Sequence, residues 1–116
     1  AKHPPATEAQ IAVRTTAEKQ RRKEREDKAA EKARRQRVTQ LESSVAELEN
    51  RLSQLEADLS NPVSFADSAA LQTASVEYER VKGSLAERMD EWEAASALLE
   101  AEESEKSAPK DGSSDR

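Results

Sequence analysis

Seven apolar residues, Val38, Leu41, Val45, Leu48, Leu52, Leu55 and Leu59, follow one another at alternating spacings of three and four, without a miss. On a helix of 3.6 residues per turn, that spacing lines them up as the narrow a/d seam of a coiled coil. A helix lying on a globular core needs a wider apolar stripe. The positions flanking this seam are Glu, Ser, Gln, Arg and Asp, so the narrow seam is the better account. A second seam runs Leu71, Ala74, Tyr78, Val81, Leu85, Arg88, Trp92, Ala95, Leu99 at the same spacing, with Arg88 its single polar member.

Composition rules out the main competitors. Of the 116 residues, 37% are charged and 34% apolar, and the only aromatics are Phe65, Tyr78 and Trp92. Such a chain cannot fill a compact globular interior; it is either disordered or helical around a thin seam, and the two stripes select the helix. The expected fold class is therefore all-α, an antiparallel two-helix coiled-coil hairpin with disordered termini.

Between Thr15 and Leu59 there is no Gly and no Pro. Thr15-Thr16-Ala17-Glu18 has the form of a capping box. Helix 1 is thus expected over about residues 16–59, roughly 66 Å at 1.5 Å per residue, preceded by a flexible leader, 1–14, that contains Pro4 and Pro5. Ser60-Asn61-Pro62 ends it: Asn tolerates left-handed geometry and Pro cannot continue the hydrogen-bond ladder. Val63, Phe65 and Leu71 are expected to fold over the tip, with either Ser64 or Asp67 capping helix 2. After the 60–67 turn, helix 2 is expected over about 68–103 and a disordered tail over 104–116. Gly83 weakens helix 2 but lies off its stripe.

A turn this short makes the helices antiparallel neighbours. Two registers one heptad apart put Leu48 opposite Tyr78 or opposite Leu85. The second is favoured because it also sets Leu41 against Trp92, a large anchor near the base of the seam.

Charge is unevenly spread. Residues 1–40 carry +6 and residues 41–116 carry −11, within a net charge of −5. The stretch Lys19–Arg37 holds ten Lys/Arg and four acids. Its cations Arg21, Arg22, Lys23, Arg25, Lys28, Lys32, Arg34, Arg35 and Arg37 are the candidate phosphate contacts. No aromatic residue accompanies them to stack on bases, so any nucleic-acid binding is expected to be salt-sensitive and to read sequence weakly. The competing account is an internal one. Antiparallel folding brings Glu91, Glu93, Glu100, Glu102, Glu103 and Glu105 near this region, and their pairing consumes part of the charge. Helix 1 is expected to outrun helix 2, leaving residues around Lys19–Arg25 unpaired.

Chemistry for catalysis is missing. There is no Cys, and the only His, His3, falls in the leader. Two glycines, Gly83 and Gly112, cannot build a phosphate-binding loop. The carboxylates lie on solvated faces, where nothing shifts them toward acid–base work. No enzyme activity, cofactor or metal is expected, nor any membrane partner, since no apolar run nears the ~18 residues that span a bilayer. The module is expected to be soluble, cytoplasmic and monomeric, and its start at Ala1 rather than Met suggests a piece of a longer protein.

A basic helix leading into leucine heptads is also the plan of basic-zipper transcription factors, with Ala29-Ala30 and Arg34 similar to their DNA-contacting helix. The base-reading Asn of that family is replaced by Glu26, and Ser44 stands where its zipper opens with Leu. The second seam has no role in such a design.

A closer resemblance spans residues 38–100, a little over half the chain. The Leu-Glu repeats Leu41-Glu42, Leu48-Glu49 and Leu55-Glu56, the tip Leu59-Ser60-Asn61-Pro62 with Phe65-Ala66-Asp67, and Leu71, Glu77-Tyr78, Lys82 and Glu91-Trp92-Glu93 resemble the C-terminal coiled-coil domain of bacterial ABC-F ATPases of the Uup type. The resemblance implies a hairpin that follows two ATPase domains in the cytoplasm, acts on ribosomes or nucleic acid, and binds DNA in the Uup branch. The implied partners are DNA, or ribosomal RNA or tRNA, together with the remainder of the parent ATPase. Departures are the absence of ATPase domains and the Arg/Lys-rich run in place of the short motif that often introduces the first helix. Leu-Glu heptads also occur in the tRNA-contacting arm of valyl-tRNA synthetases. The alternative function is a structural spacer or a dimerising coiled coil, in which first helices pair in parallel, as Val at a and Leu at d allow.

Overall fold

Helix-forming residues dominate both halves of the chain, and the computed structural model, which describes Pro5 and residues 7–107, is built from two long helices. They are α1 (Glu8–Leu59) and α2 (Ser68–Ser107), joined through a short 3₁₀ turn at Pro62–Ser64; the described residues contain no strand. The chain divides into two compact units, Ala1–Ala33 and Arg34–Arg116. The first part of α1 belongs to the first unit. The rest of α1, the turn and α2 form the second.

In the first unit α1 starts eight residues before the expected position. A capping box does form, at Thr7-Glu8-Ala9-Gln10 instead of Thr15–Glu18. The Gln10 N–H donates to Thr7 Oγ1 at 3.1 Å and the Thr7 N–H donates to Gln10 Oε1 at 2.9 Å. Both sites have the required pattern, but the earlier one satisfies the free first-turn donors and lets Arg14 and its neighbours join the helix. Thr15 and Thr16 then sit inside the helix, their hydroxyls donating to the carbonyls of Ile11 and Ala12, each at 2.9 Å. Residues 8–14 are therefore helix rather than leader, while residues 1–4 and 6 of the expected leader lie outside the described residues.

The second unit is the hairpin. Its best-buried residues are Leu41 and Leu55, each 2% exposed, with Ala74 and Val81. All four are seam positions. Leu48, Leu52, Leu59, Phe65 and Tyr78 pack against the cluster of Leu55, Ala74 and Val81. Two polar contacts set the register. Trp92 Nε1 donates to Glu42 Oε2 at 3.2 Å, and the Tyr78 hydroxyl donates to Glu56 Oε2 at 3.3 Å. Glu42 and Glu56 directly follow Leu41 and Leu55, so Leu41 lies level with Trp92 and Leu55 with Tyr78. Leu48, midway on one helix, then meets Leu85, midway on the other.

The turn closes by local bonds. The Ser60 N–H reaches the Glu56 carbonyl at 3.0 Å and the Asn61 N–H reaches that of Asp58 at 3.1 Å. Asn61 has φ −129° and ψ 72°, outside the left-handed region, because the exit into the 3₁₀ turn, with Pro62 first in it, does not require a positive φ. Asp67 is the cap of α2, its carboxylate accepting from the Ala70 N–H at 2.8 Å. Ser64 instead donates its hydroxyl to the Asn61 carbonyl at 2.8 Å. Phe65 covers the end of the seam as expected, but Val63 does not: it is 89% exposed, on the outside of the 3₁₀ turn. α2 runs on to Ser107, so residues 104–107 are helical rather than tail. The remainder of the expected tail, 108–116, lies outside the described residues.

Candidate nucleic-acid interface

The sequence between Lys19 and Arg37 has nothing to interrupt a helix, and α1 carries all nine candidate cations on one continuous element. Their environments differ sharply. In the first unit Arg21, Arg22, Lys23, Arg25, Lys28 and Lys32 are all exposed. Among the described residues none of the six side chains makes a hydrogen bond or ion pair, although acids lie within helical reach. Arg14 and Lys19, in the same unit, are also exposed. Arg14 was not among the candidates, because the earlier helix start that recruits it depends on a choice between two capping sequences of similar form.

In the second unit the cations are engaged. Arg34 forms an ion pair with Glu102. Arg35 Nη2 lies 3.5 Å from Glu103 Oε2, and Arg37 Nη2 lies 3.4 Å from Glu91 Oε1. Folding α2 back along α1 thus spends Arg34, Arg35 and Arg37 on the acids expected to reach them. Exposed pairs of this sort contribute only ~0–1 kcal/mol each, so they compete with an external anion without excluding it.

Two further arrangements in the hairpin are structural. Arg51 clamps Glu77 with two bonds, Nε to Oε2 at 2.7 Å and Nη2 to Oε1 at 2.6 Å. The bidentate hydrogen bond, reinforced by opposite charge, holds the Glu77 carboxyl below the usual carboxylate range and pushes the Arg51 guanidinium above its ordinary value. Arg88, the polar residue in the second seam, turns its head out to Glu91, whose hydrogen bond raises its pKa further. Glu91 therefore receives Arg88 from its own helix and Arg37 from the other, which keeps a charged residue tolerable inside an apolar stripe. Lys82 Nζ stands 6.0 Å from the centre of the Tyr78 ring, one turn away.

Open recesses lie on the hairpin surface. One of about 230 Å³ is lined by Glu42, Val45, Ala46, Glu49, Met89 and Trp92. A wider one of about 580 Å³ lies along Ala69, Thr73, Val76, Arg80 and their neighbours on α2. Neither lining contains His or Cys. Among the described residues no group of three His, Cys, Asp or Glu is placed to hold a metal ion, and no helix is long and apolar enough to cross a membrane.

Comparison with known families agrees with this architecture. The family model for the ABC transporter C-terminal domain matches residues 28–97, which takes in the hairpin from before Val38 to beyond Trp92. The chain belongs to the ABC transporter C-terminal domain family. No curated protein and no solved structure matches it. The chain is thus a helical C-terminal module of an ABC-type protein.

Proposed function

We propose that this module binds nucleic acid, DNA or structured ribosomal or transfer RNA, without reading sequence, as the C-terminal coiled-coil part of a cytoplasmic ABC-F ATPase of the Uup type. The observation that carries the proposal is the contrast along α1: Arg34, Arg35 and Arg37 are engaged by acids of the same chain, whereas Arg21, Arg25, Lys28 and Lys32 are exposed and their side chains form no ion pair among the described residues. Unpaired cations at this density are what a phosphate backbone neutralises, and the gain comes from counterions released by the nucleic acid. With no aromatic side chain between residues 1 and 64 to stack on a base, discrimination among sequences has no physical source there.

The module itself contributes binding rather than catalysis, and ATP hydrolysis belongs to the parent's other domains. The parallel-dimer alternative is less well supported, because the seam of α1 is already covered by α2 of the same chain. Titrating the full chain against a labelled DNA duplex and a labelled structured RNA at increasing salt tests the proposal. Affinity should fall steeply and log-linearly with salt for both. Absence of binding at low salt, or a response flat in salt, overturns it.

A further inference from the structure

The exposed cations of the first unit are not spread evenly around their helix. At 3.6 residues per turn, Arg14, Arg21, Arg25, Lys28 and Lys32, separated by seven, four, three and four residues, fall within an arc of about 60°. Glu24, Asp27 and Glu31, separated by three and four, form a second stripe turned about 100° from the first. Arg22 lies about 90° away on the other side, and Lys19 and Lys23 lie about 150° or more from the stripe's centre. The five cations of the stripe are all exposed.

Such a stripe is unfavourable for the helix that carries it. Arg21 and Arg25, Arg25 and Lys28, and Lys28 and Lys32 stand at the three- and four-residue spacings where like charges repel. Glu18 and Glu24 border it at the spacings that suit Arg21 and Lys28, yet neither closes an ion pair among the described residues. A face serving solubility alone would mix the signs. This one concentrates positive charge over about 27 Å from Arg14 to Lys32, at 1.5 Å per residue. The feature that relieves the repulsion is a line of negative charges of similar length, and a phosphate backbone supplies one.

We infer that the nucleic acid lies along one face of the α1 segment, its phosphates held by Arg14, Arg21, Arg25, Lys28 and Lys32, with Lys19, Arg22 and Lys23 making no phosphate contact. This rests on the nucleic-acid reading above and adds which residues touch the ligand and on which side. It brings in Arg14 and sets aside Arg22 and Lys23. Glu24 and Asp27 turn phosphates away from the adjacent face, so each helix takes one backbone at a time.

Two full-length variants that lose the same charge separate this geometry from simple charge attraction: Arg21→Gln/Arg25→Gln/Lys28→Gln on the stripe and Lys19→Gln/Arg22→Gln/Lys23→Gln off it. Binding to a DNA duplex and to an RNA duplex is measured as a function of salt. Five contacts give a log–log slope of about −4.5, roughly a 500-fold loss between about 50 and 200 mM salt. The stripe variant should retain two contacts and lose only about 12-fold over that range, with a slope near −1.8. The off-stripe variant should keep the parent slope. Arg21→Lys/Arg25→Lys/Lys28→Arg, which preserves charge, should keep it too, and distinguishes lost contacts from a lost helix. Equal slopes for the two glutamine variants would overturn the one-sided contact while leaving nucleic-acid binding intact. Failure of the parent chain to bind either duplex would overturn both.

Discussion

Leu55 is the residue on which the hairpin should depend most measurably. It is 2% exposed, sits level with Tyr78, and is the centre of a cluster with Ala74 and Val81. Truncating a buried Leu to Ala removes three carbons, one methine and two methyls, and leaves a cavity, which costs ~2–5 kcal/mol depending on how far the surroundings collapse. The neighbours Leu48, Leu52, Leu59, Phe65 and Tyr78 are only partly buried and have room to shift, so the lower part of that range, about 2–3 kcal/mol, applies here. At the usual ~0.05–0.15 kcal/mol per residue, a unit of this size has only about 4–11 kcal/mol in all. Leu55→Ala should therefore remove a large fraction of the stability and lower Tm by about 8–24 °C, at ~4–8 °C per kcal/mol. Thermal and urea unfolding followed by Trp92 fluorescence, the only tryptophan in the chain, reports on the hairpin itself. Leu98→Ala is the control: Leu98 is 59% exposed, and its truncation should stay within ~0.5 kcal/mol. If Leu55→Ala were no more costly than Leu98→Ala, the seam would not be packed as described. If Tm rose with protein concentration, the seam would be closing between chains and not within one.

Two other perturbations follow from the same geometry. Gly83 is in the middle of α2 with no atom within 4 Å of the place a Cβ would occupy, so Gly83→Ala should stabilise the hairpin by ~0.8–1 kcal/mol, read as a higher urea midpoint at unchanged m-value. The Arg51 clamp gives the hairpin a defined response to acid. Because Glu77 titrates lower when folded than when unfolded, its contribution is complete above the unfolded value of about 4.3 and is lost as pH falls through the depressed folded value. The urea midpoint of the parent should drop on acidification below about pH 4.3, and Glu77→Gln should start lower at neutral pH and show a smaller drop; parallel curves for the two would show that the clamp adds nothing.

Much of the fold is legible in the sequence, and for one reason. Spacing along a helix maps directly onto its faces, so two unbroken stripes with Asn61-Pro62 between them define two helices, their buried sides and the place where the chain reverses. The absence of Cys, the near-absence of Gly and the single His were equally plain, since they are properties of composition. The cation-rich segment could be read too, but only as a charge density.

What spacing along one chain could not decide were choices between equivalent local solutions. Thr7 and Thr15 both open a capping sequence, and Ser64 and Asp67 could both cap α2; the hydrogen bonds that form select Thr7 and Asp67. Nor could it decide which cations remain available. Arg34, Arg35 and Arg37 look the same in sequence as Arg21, Arg25 and Lys28, and they differ because α2 returns past the former with Glu102, Glu103 and Glu91 in reach. Hydrophobic periodicity is a property of one helix and was set by the sequence alone. Register, caps and the pairing of charges depend on a second set of atoms brought close by folding, and only the tertiary structure could supply it.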